Sequence, residues 1–140
     1  MALPNFFIVG AAKCGTTSLA HYLSLHPQVH MSALKEPRYF AFEPSSSLAF
    51  CGPGDAEGYA DTITDLARYT ELFQQGAGKF ARGEASVAYM YEPGAAQRIR
   101  AMVPEAKLIV ILREPAKRAF SNYLHLRRDG REDQKNFRKA

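Results

Sequence analysis

The chain has 140 residues, of which 46% are hydrophobic and 23% charged, a balance that excludes a disordered chain and suits one domain with its own core. Its 18 basic and 14 acidic residues leave a formal charge of +4, too mild a field to call for nucleic acid. No apolar run reaches the ~18 residues of a membrane span and no basic-then-apolar leader opens the sequence, so the expectation is a cytoplasmic domain with neither membrane nor nucleic-acid partner.

In chain order, residues 6–9 form a short, continuously apolar run, as in a central parallel strand covered on both faces. A helix over about 16–25 follows, with Leu19, Tyr22 and Leu23 on one face and Pro27 closing it. Residues 29–31 suit a second short strand. The Pro-, Gly- and Ser-dense stretch 43–58 predicts a surface loop, long enough to be mobile and functional. A helix over about 64–75 places Leu66, Tyr69, Leu72 and Phe73 at core spacing, and 80–86 is a weaker strand. Pro93 starts a helix carrying Ile99, Met102 and Val103, which Pro104 ends. The run 108–112, Leu-Ile-Val-Ile-Leu, reads as the clearest buried strand. Pro115 opens the last helix, with Ala119, Phe120, Tyr123 and Leu124 inward. Strands alternating with helices predict an α/β sandwich around a parallel sheet.

The loop between the first strand and helix carries the chemistry. Gly10-Ala11-Ala12-Lys13-Cys14-Gly15-Thr16-Thr17-Ser18 joins two glycines and a lysine to a hydroxyl-rich helix start, a turn that gathers N–H groups around an anion. A Walker A loop places its lysine directly after the second glycine. Here Thr16 follows Gly15, and Lys13 precedes it by two positions, so an ordinary ATP or GTP loop is not indicated. Two cysteines, Cys14 and Cys51, give neither a metal spacing nor a disulfide framework. Cys14 reads as a small residue fitting the turn.

Arg113, at the end of the 108–112 strand, belongs on the same sheet edge as that loop. Its planar fork suits phosphate, and Ser121, two helical turns on, can offer a hydroxyl to the same anion. The alternative is an ion pair of Arg113 with Glu114 or Glu105.

Together, Gly10 to Leu19, Leu25-His26-Pro27, Lys35-Glu36-Pro37-Arg38-Tyr39-Phe40, Gly83-Glu84-Ala85-Ser86 and the arginine motif at 113–123 resemble the PAPS-dependent sulfotransferases. The likeness is to the branch holding the heparan sulfate sulfotransferases and bacterial relatives, and it spans about 5–128. It implies a P-loop-NTPase-like α/β three-layer sandwich with a central parallel sheet. It also implies transfer of a sulfuryl group from 3′-phosphoadenosine 5′-phosphosulfate (PAPS) to a hydroxyl or amine of a carbohydrate or small-molecule acceptor, without a metal.

By matching positions, the resemblance assigns Lys13, Cys14, Gly15, Thr16, Thr17 and Ser18 to the 5′-phosphosulfate, and Arg113 with Ser121 to the 3′-phosphate. Lys13 also stabilises the leaving oxygen, and Glu36 is the expected general base. Its alternative is a surface carboxylate paired with Lys35 or Arg38. Arg38 stands where many relatives carry histidine and is expected to hold an anionic acceptor. Ala85 stands where the glycosaminoglycan enzymes usually carry lysine, which weakens a heparan-like acceptor.

The 140 residues are expected to form one domain equivalent to the N-terminal portion of the family fold. Apolar surface left uncovered in that portion is expected to favour self-association. Two rivals follow: a PAP- or PAPS-binding fragment without turnover, and a Mg²⁺-dependent P-loop nucleotide kinase.

Overall fold

A computed structural model describes residues 2–43 and 55–139. Most of the expected 43–58 loop, with Cys51, lies outside the described residues; its end, Asp55–Gly58, forms one helical turn, α2. Four parallel strands, β1 (Phe6–Gly10), β2 (Val29–Met31), β3 (Ala81–Ala85) and β4 (Lys107–Val110), form one sheet in the order β2-β3-β1-β4. Between and after them run α1 (Thr16–Ser24), α3 (Leu66–Glu71), α4 (Ala95–Met102) and α5 (Pro115–Arg128). Among the described residues no helix is long and apolar enough to cross a membrane.

β1 is central and buried along its whole length, as its unbroken apolar run requires. Because successive side chains leave a strand on opposite faces, it feeds two cores. Phe7 and Val9 enter an aromatic core with Tyr39, Phe40, Tyr69, Phe73 and Tyr89, closed by Ile63 and by Ala95 and Ile99 of α4. Phe6 and Ile8 face the other way, onto Leu19 and Leu23 of α1 and Ile109 of β4. These two cores on one sheet make the three-layer α/β sandwich. Edge-to-face contacts fix the aromatic side, with Phe40 5.6 Å from Phe7 and 5.5 Å from Tyr69 between ring centroids, and such pairs each add about 0.5–1.5 kcal/mol beyond simple burial.

The structure corrects four expectations. The 64–75 helix is shorter: Asp65 accepts the Arg68 N–H at 2.9 Å and starts α3 at Leu66, while Gln74–Gly76 tightens into a separate 3-10 turn. Tyr22 points outward, 69% exposed, and the inner face of α1 is instead formed by Leu19, Ala20 and Leu23. In place of a covered strand over 108–112, the sheet ends at the edge strand β4, Lys107–Val110, with Leu108 54% and Val110 48% exposed, and Leu112 beyond it 72% exposed. On α5, Tyr123 is buried, but Ala119 is exposed and Phe120 and Leu124 are 45% and 51% exposed. Phe120 instead packs edge-on against Phe137, 5.2 Å between centroids.

Candidate active site

Because all four strands run the same way, their carboxyl ends deliver their following loops to one edge of the sheet. That edge holds a cleft of 840 Å³ whose walls include Lys13, Gly15, Thr16, Thr17, Glu36, Arg38, Arg113 and Ser121. Residues separated by more than a hundred positions in sequence thus share one cavity. Of the sequence-predicted site residues, Cys14 and Ser18 are not on its wall: the Cys14 thiol turns back to the Ala12 carbonyl at 3.6 Å, and Ser18 is exposed.

The loop after β1 is shaped by its backbone. Gly15 precedes α1 at φ 97, a left-handed conformation that costs a residue bearing a Cβ about 1–2 kcal/mol. The α1 ladder begins with the Leu19 N–H donating to the Gly15 carbonyl at 3.0 Å, so the N–H groups of Thr16, Thr17 and Ser18 open the helix without a partner from the preceding turn. Their free ends and the helix dipole suit an anion. The loop's carbonyls are taken from the far side: Arg118 Nε donates to the Ala12 carbonyl at 3.2 Å, and Arg113 Nη1 to the Lys13 carbonyl at 3.3 Å.

Among the described residues three non-glycine residues have positive φ: Lys13 at 64°, Glu36 at 64° and Arg38 at 53°. All three line the cleft. Non-glycine residues in this region store strain of order 1–3 kcal/mol each, a pattern that concentrates at functional sites.

Glu36 is largely shielded, with a side chain 14% exposed. Its carboxylate lies 3.0 Å from Lys35 Nζ and 3.6 Å from Arg38 Nε, and the Val87 N–H donates to both of its oxygens at 3.1 and 3.3 Å. The ion pairs expected of a surface carboxylate therefore exist, but inside the cleft. Arg38 also stacks on Tyr59, its guanidinium carbon 4.6 Å from the ring centroid.

Glu114 caps α5 instead of engaging Arg113: its carboxylate accepts the N–H groups of Ala116 and Lys117 at 2.9 and 2.8 Å. Those two bonds hold its carboxyl below the usual range.

Two members of the cleft, His125 and Asp129, were not singled out from the sequence as site residues. His125 and Asp129 follow Ser121 at four-residue steps along α5 and so share its face; that spacing was the available signal. Burial first, then the charge of Lys13, holds the His125 imidazole below its ordinary value. Tyr91 lines the cleft, and its hydroxyl accepts from Arg118 at 3.0 Å, whereas Tyr89 is a core residue. Among the described residues no group of three or more His, Cys, Asp or Glu is placed to hold a metal ion.

Comparison with known proteins gives the same picture. A crystal structure of a sulfotransferase from Alicyclobacillus acidocaldarius superposes with a TM-score of 0.89 and 48% sequence identity, covering 99% of this chain and 56% of that one. Carbohydrate sulfotransferase 15 of Mus musculus is 34% identical over 88% of this chain and 27% of its own length. Bifunctional heparan sulfate N-deacetylase/N-sulfotransferase 1 of Caenorhabditis briggsae is 32% identical over 86% of this chain and 12% of its own. The chain therefore spans about a quarter or less of these two curated relatives. Residues 4–139 match the profile of the sulfotransferase family, and with a fold shared with a solved sulfotransferase the chain belongs to that family.

Proposed function

We propose that the protein is a sulfotransferase that takes its sulfuryl group from PAPS and delivers it to a hydroxyl or amine. The observation carrying this reading is the gathering of Lys13, Glu36, Arg38, Arg113 and Ser121 on one cleft. We assign two anion sites to it. The loop at 10–18 suits the phosphosulfate end, and Arg113 with Ser121 suits the isolated 3′-phosphate. A triphosphate bound with Mg²⁺ instead calls for a continuous cradle and an available carboxylate at the end of a strand beside β1; after β4 this chain has Arg113, and Glu84 on β3 is buried against three hydroxyls.

Bound PAPS supplies an activated sulfuryl group, whose bond to the bridging phosphate oxygen breaks as the acceptor oxygen or nitrogen attacks in line. Lys13 and the helix N–H groups offset the charge that builds on the leaving phosphate oxygen. Glu36 accepts the acceptor's proton, which requires hydrogen-bond reach and not a particular fold. Lys35 and Arg38, flanking Glu36, give the acceptor side a positive rim suited to an anionic carbohydrate; the named relatives, a carbohydrate and a heparan sulfate sulfotransferase, point the same way.

Incubation with sulfur-labelled PAPS and two acceptors, N-desulfated heparin and chondroitin, tests the proposal. Label should appear on a carbohydrate with wild-type protein and be absent with Glu36→Gln, whose affinity for PAP stays unchanged. Equal labelling by the two proteins excludes Glu36 as the base.

A further inference from the structure

Glu84 is fully buried, and the mechanism above makes no use of it. It lies on β3, next to the central strand, against the aromatic core. An acidic side chain adds nothing to that packing that an apolar one would not. Its carboxylate is met by three hydroxyls: Tyr69 Oη at 3.0 Å, Ser86 Oγ at 2.7 Å, and Tyr89 Oη in a short hydrogen bond.

The direction of these bonds matters. A hydroxyl has one hydrogen, and an ionised carboxylate only accepts. Ser86 and Tyr89 therefore give their hydrogens to Glu84 and turn their lone pairs the other way. There Ser86 Oγ accepts the Arg38 N–H at 3.0 Å, and Tyr89 Oη accepts the Phe40 N–H at 3.4 Å. Both donors belong to the segment that begins with Glu36.

That segment needs holding, because Glu36 and Arg38 are both in the left-handed region. Elsewhere it is held by the Ile63 N–H on the Pro37 carbonyl at 2.9 Å and by Arg98 Nε on the Phe40 carbonyl at 2.8 Å, but its anchors around Glu36 fall on the residues beside Glu84. The Glu36 N–H donates to the Ala85 carbonyl at 2.9 Å, and the Val87 N–H donates to the Glu36 carboxylate.

We propose that Glu84 is a positioning residue: its carboxylate sets the direction of the Ser86 and Tyr89 hydroxyls, which hold the Arg38 and Phe40 backbone and so aim Glu36 into the cleft. The positioning role rests on Glu36 being the base. A neutral Glu84 carries a hydrogen that must go to one of the three hydroxyls. Where that hydroxyl is Ser86 or Tyr89, its displaced hydrogen points at the Arg38 or Phe40 N–H, donor against donor, and that anchor is lost; Tyr69 carries no such anchor. An amide at position 84 creates the same conflict.

Burial pushes the Glu84 carboxyl up to about 7, so the conflict falls in an accessible range. The groups facing it are Tyr69 from α3, Tyr89 and Ser86 from the segment after β3, and the charge of Glu36 from the opposite loop. Tyr39 stacks on Tyr69 at 4.4 Å between centroids. Burial holds all three tyrosine hydroxyls above their ordinary value, so they do not titrate in the same range.

The test is a pH titration of the backbone amide resonances of the 140-residue chain from about pH 5.5 to about pH 8.5, spanning the carboxyl range raised by burial. The Arg38 and Phe40 amides should move together with one midpoint near 7, while the Gly15 and Thr16 amides do not follow. In Glu84→Gln that shared titration should vanish. In Ser86→Ala it should vanish at Arg38 and persist at Phe40, which keeps the test alive should the Glu84 variant fail to fold. Sulfuryl transfer by Glu84→Gln should fall by about tenfold or more, the scale of one misplaced catalytic group, with PAP affinity within about twofold. A wild-type chain without the shared titration, or a titration that survives Glu84→Gln, overturns the proposal. Loss of PAP binding by the wild type would instead refute the donor-site reading, and the amide titration would still decide the role of Glu84.

Discussion

Ionisation of Glu84 should make the fold less stable as pH rises, opposite to the usual behaviour of a paired carboxylate. Its folded value is about 7 against an ordinary 4.5, because burial outweighs the three hydroxyl bonds that favour the charged form. Below about pH 4.5 both folded and unfolded chains carry the proton, and the neutral group costs nothing differential. Between 4.5 and 7 the folded chain keeps the proton that the unfolded chain has released, so stability falls with pH across this window. The gap between these two values corresponds to roughly 3 kcal/mol. Urea denaturation at about pH 4.5 and at about pH 8 measures it, with the midpoint converted through the slope. Glu84→Gln, which cannot ionise, should lose this pH dependence even if its absolute stability differs. Parallel pH profiles for the two proteins would refute the argument, since another group would then carry the effect.

Three further predictions concern packing, charge and assembly. Phe40 is 1% exposed and touches Phe7, Tyr39, Tyr69 and Tyr89; Phe40→Ala should cost about 3–5 kcal/mol in denaturant unfolding, and a loss under about 1 kcal/mol would contradict this core. Asp65→Ala removes the α3 cap and should cost about 1 kcal/mol, with no change in PAP affinity; an altered affinity would contradict its placement away from the cleft. We also propose that the exposed edge of β4, with Leu108 and Val110 and with Leu112 just beyond it, lets the 140-residue chain self-associate. Light scattering that finds only monomer at high concentration would count against it.

The legible parts of this sequence were those in which one segment carries its own signal. The run 6–9 is apolar at every position, and a residue covered on both faces has no other pattern available; β1 is indeed central. The loop at 10–18 announces its turn through Gly15, whose left-handed φ of 97 few other residues adopt. What failed depended on distant chain. The 108–112 run has the composition of a covered strand, but composition cannot say whether a neighbour lies alongside, and β4 is an edge of the described sheet. Phe120 and Leu124 match an inward helical face by spacing yet are half exposed for the same reason. Within the cleft, Glu36 and Arg38 were visible as charged residues, but their shared left-handed backbone was not, because it is imposed by residues 85–87 some fifty positions away. Glu84 gave no local sign of burial; a single acid in a strand looks like a solvent-facing position until the sheet is assembled.

The central claim is that two separate anion sites on this sheet edge hold the two ends of one nucleotide. Calorimetric titration with PAP, in the presence of a metal chelator, tests it most directly with the wild type, Lys13→Ala and Arg113→Ala. The account predicts binding that survives the chelator. Each variant should lose about 10- to 100-fold in affinity, the equivalent of one charge-assisted hydrogen bond of about 1.5–3 kcal/mol. Binding that requires Mg²⁺, or that is indifferent to Arg113→Ala, would contradict it.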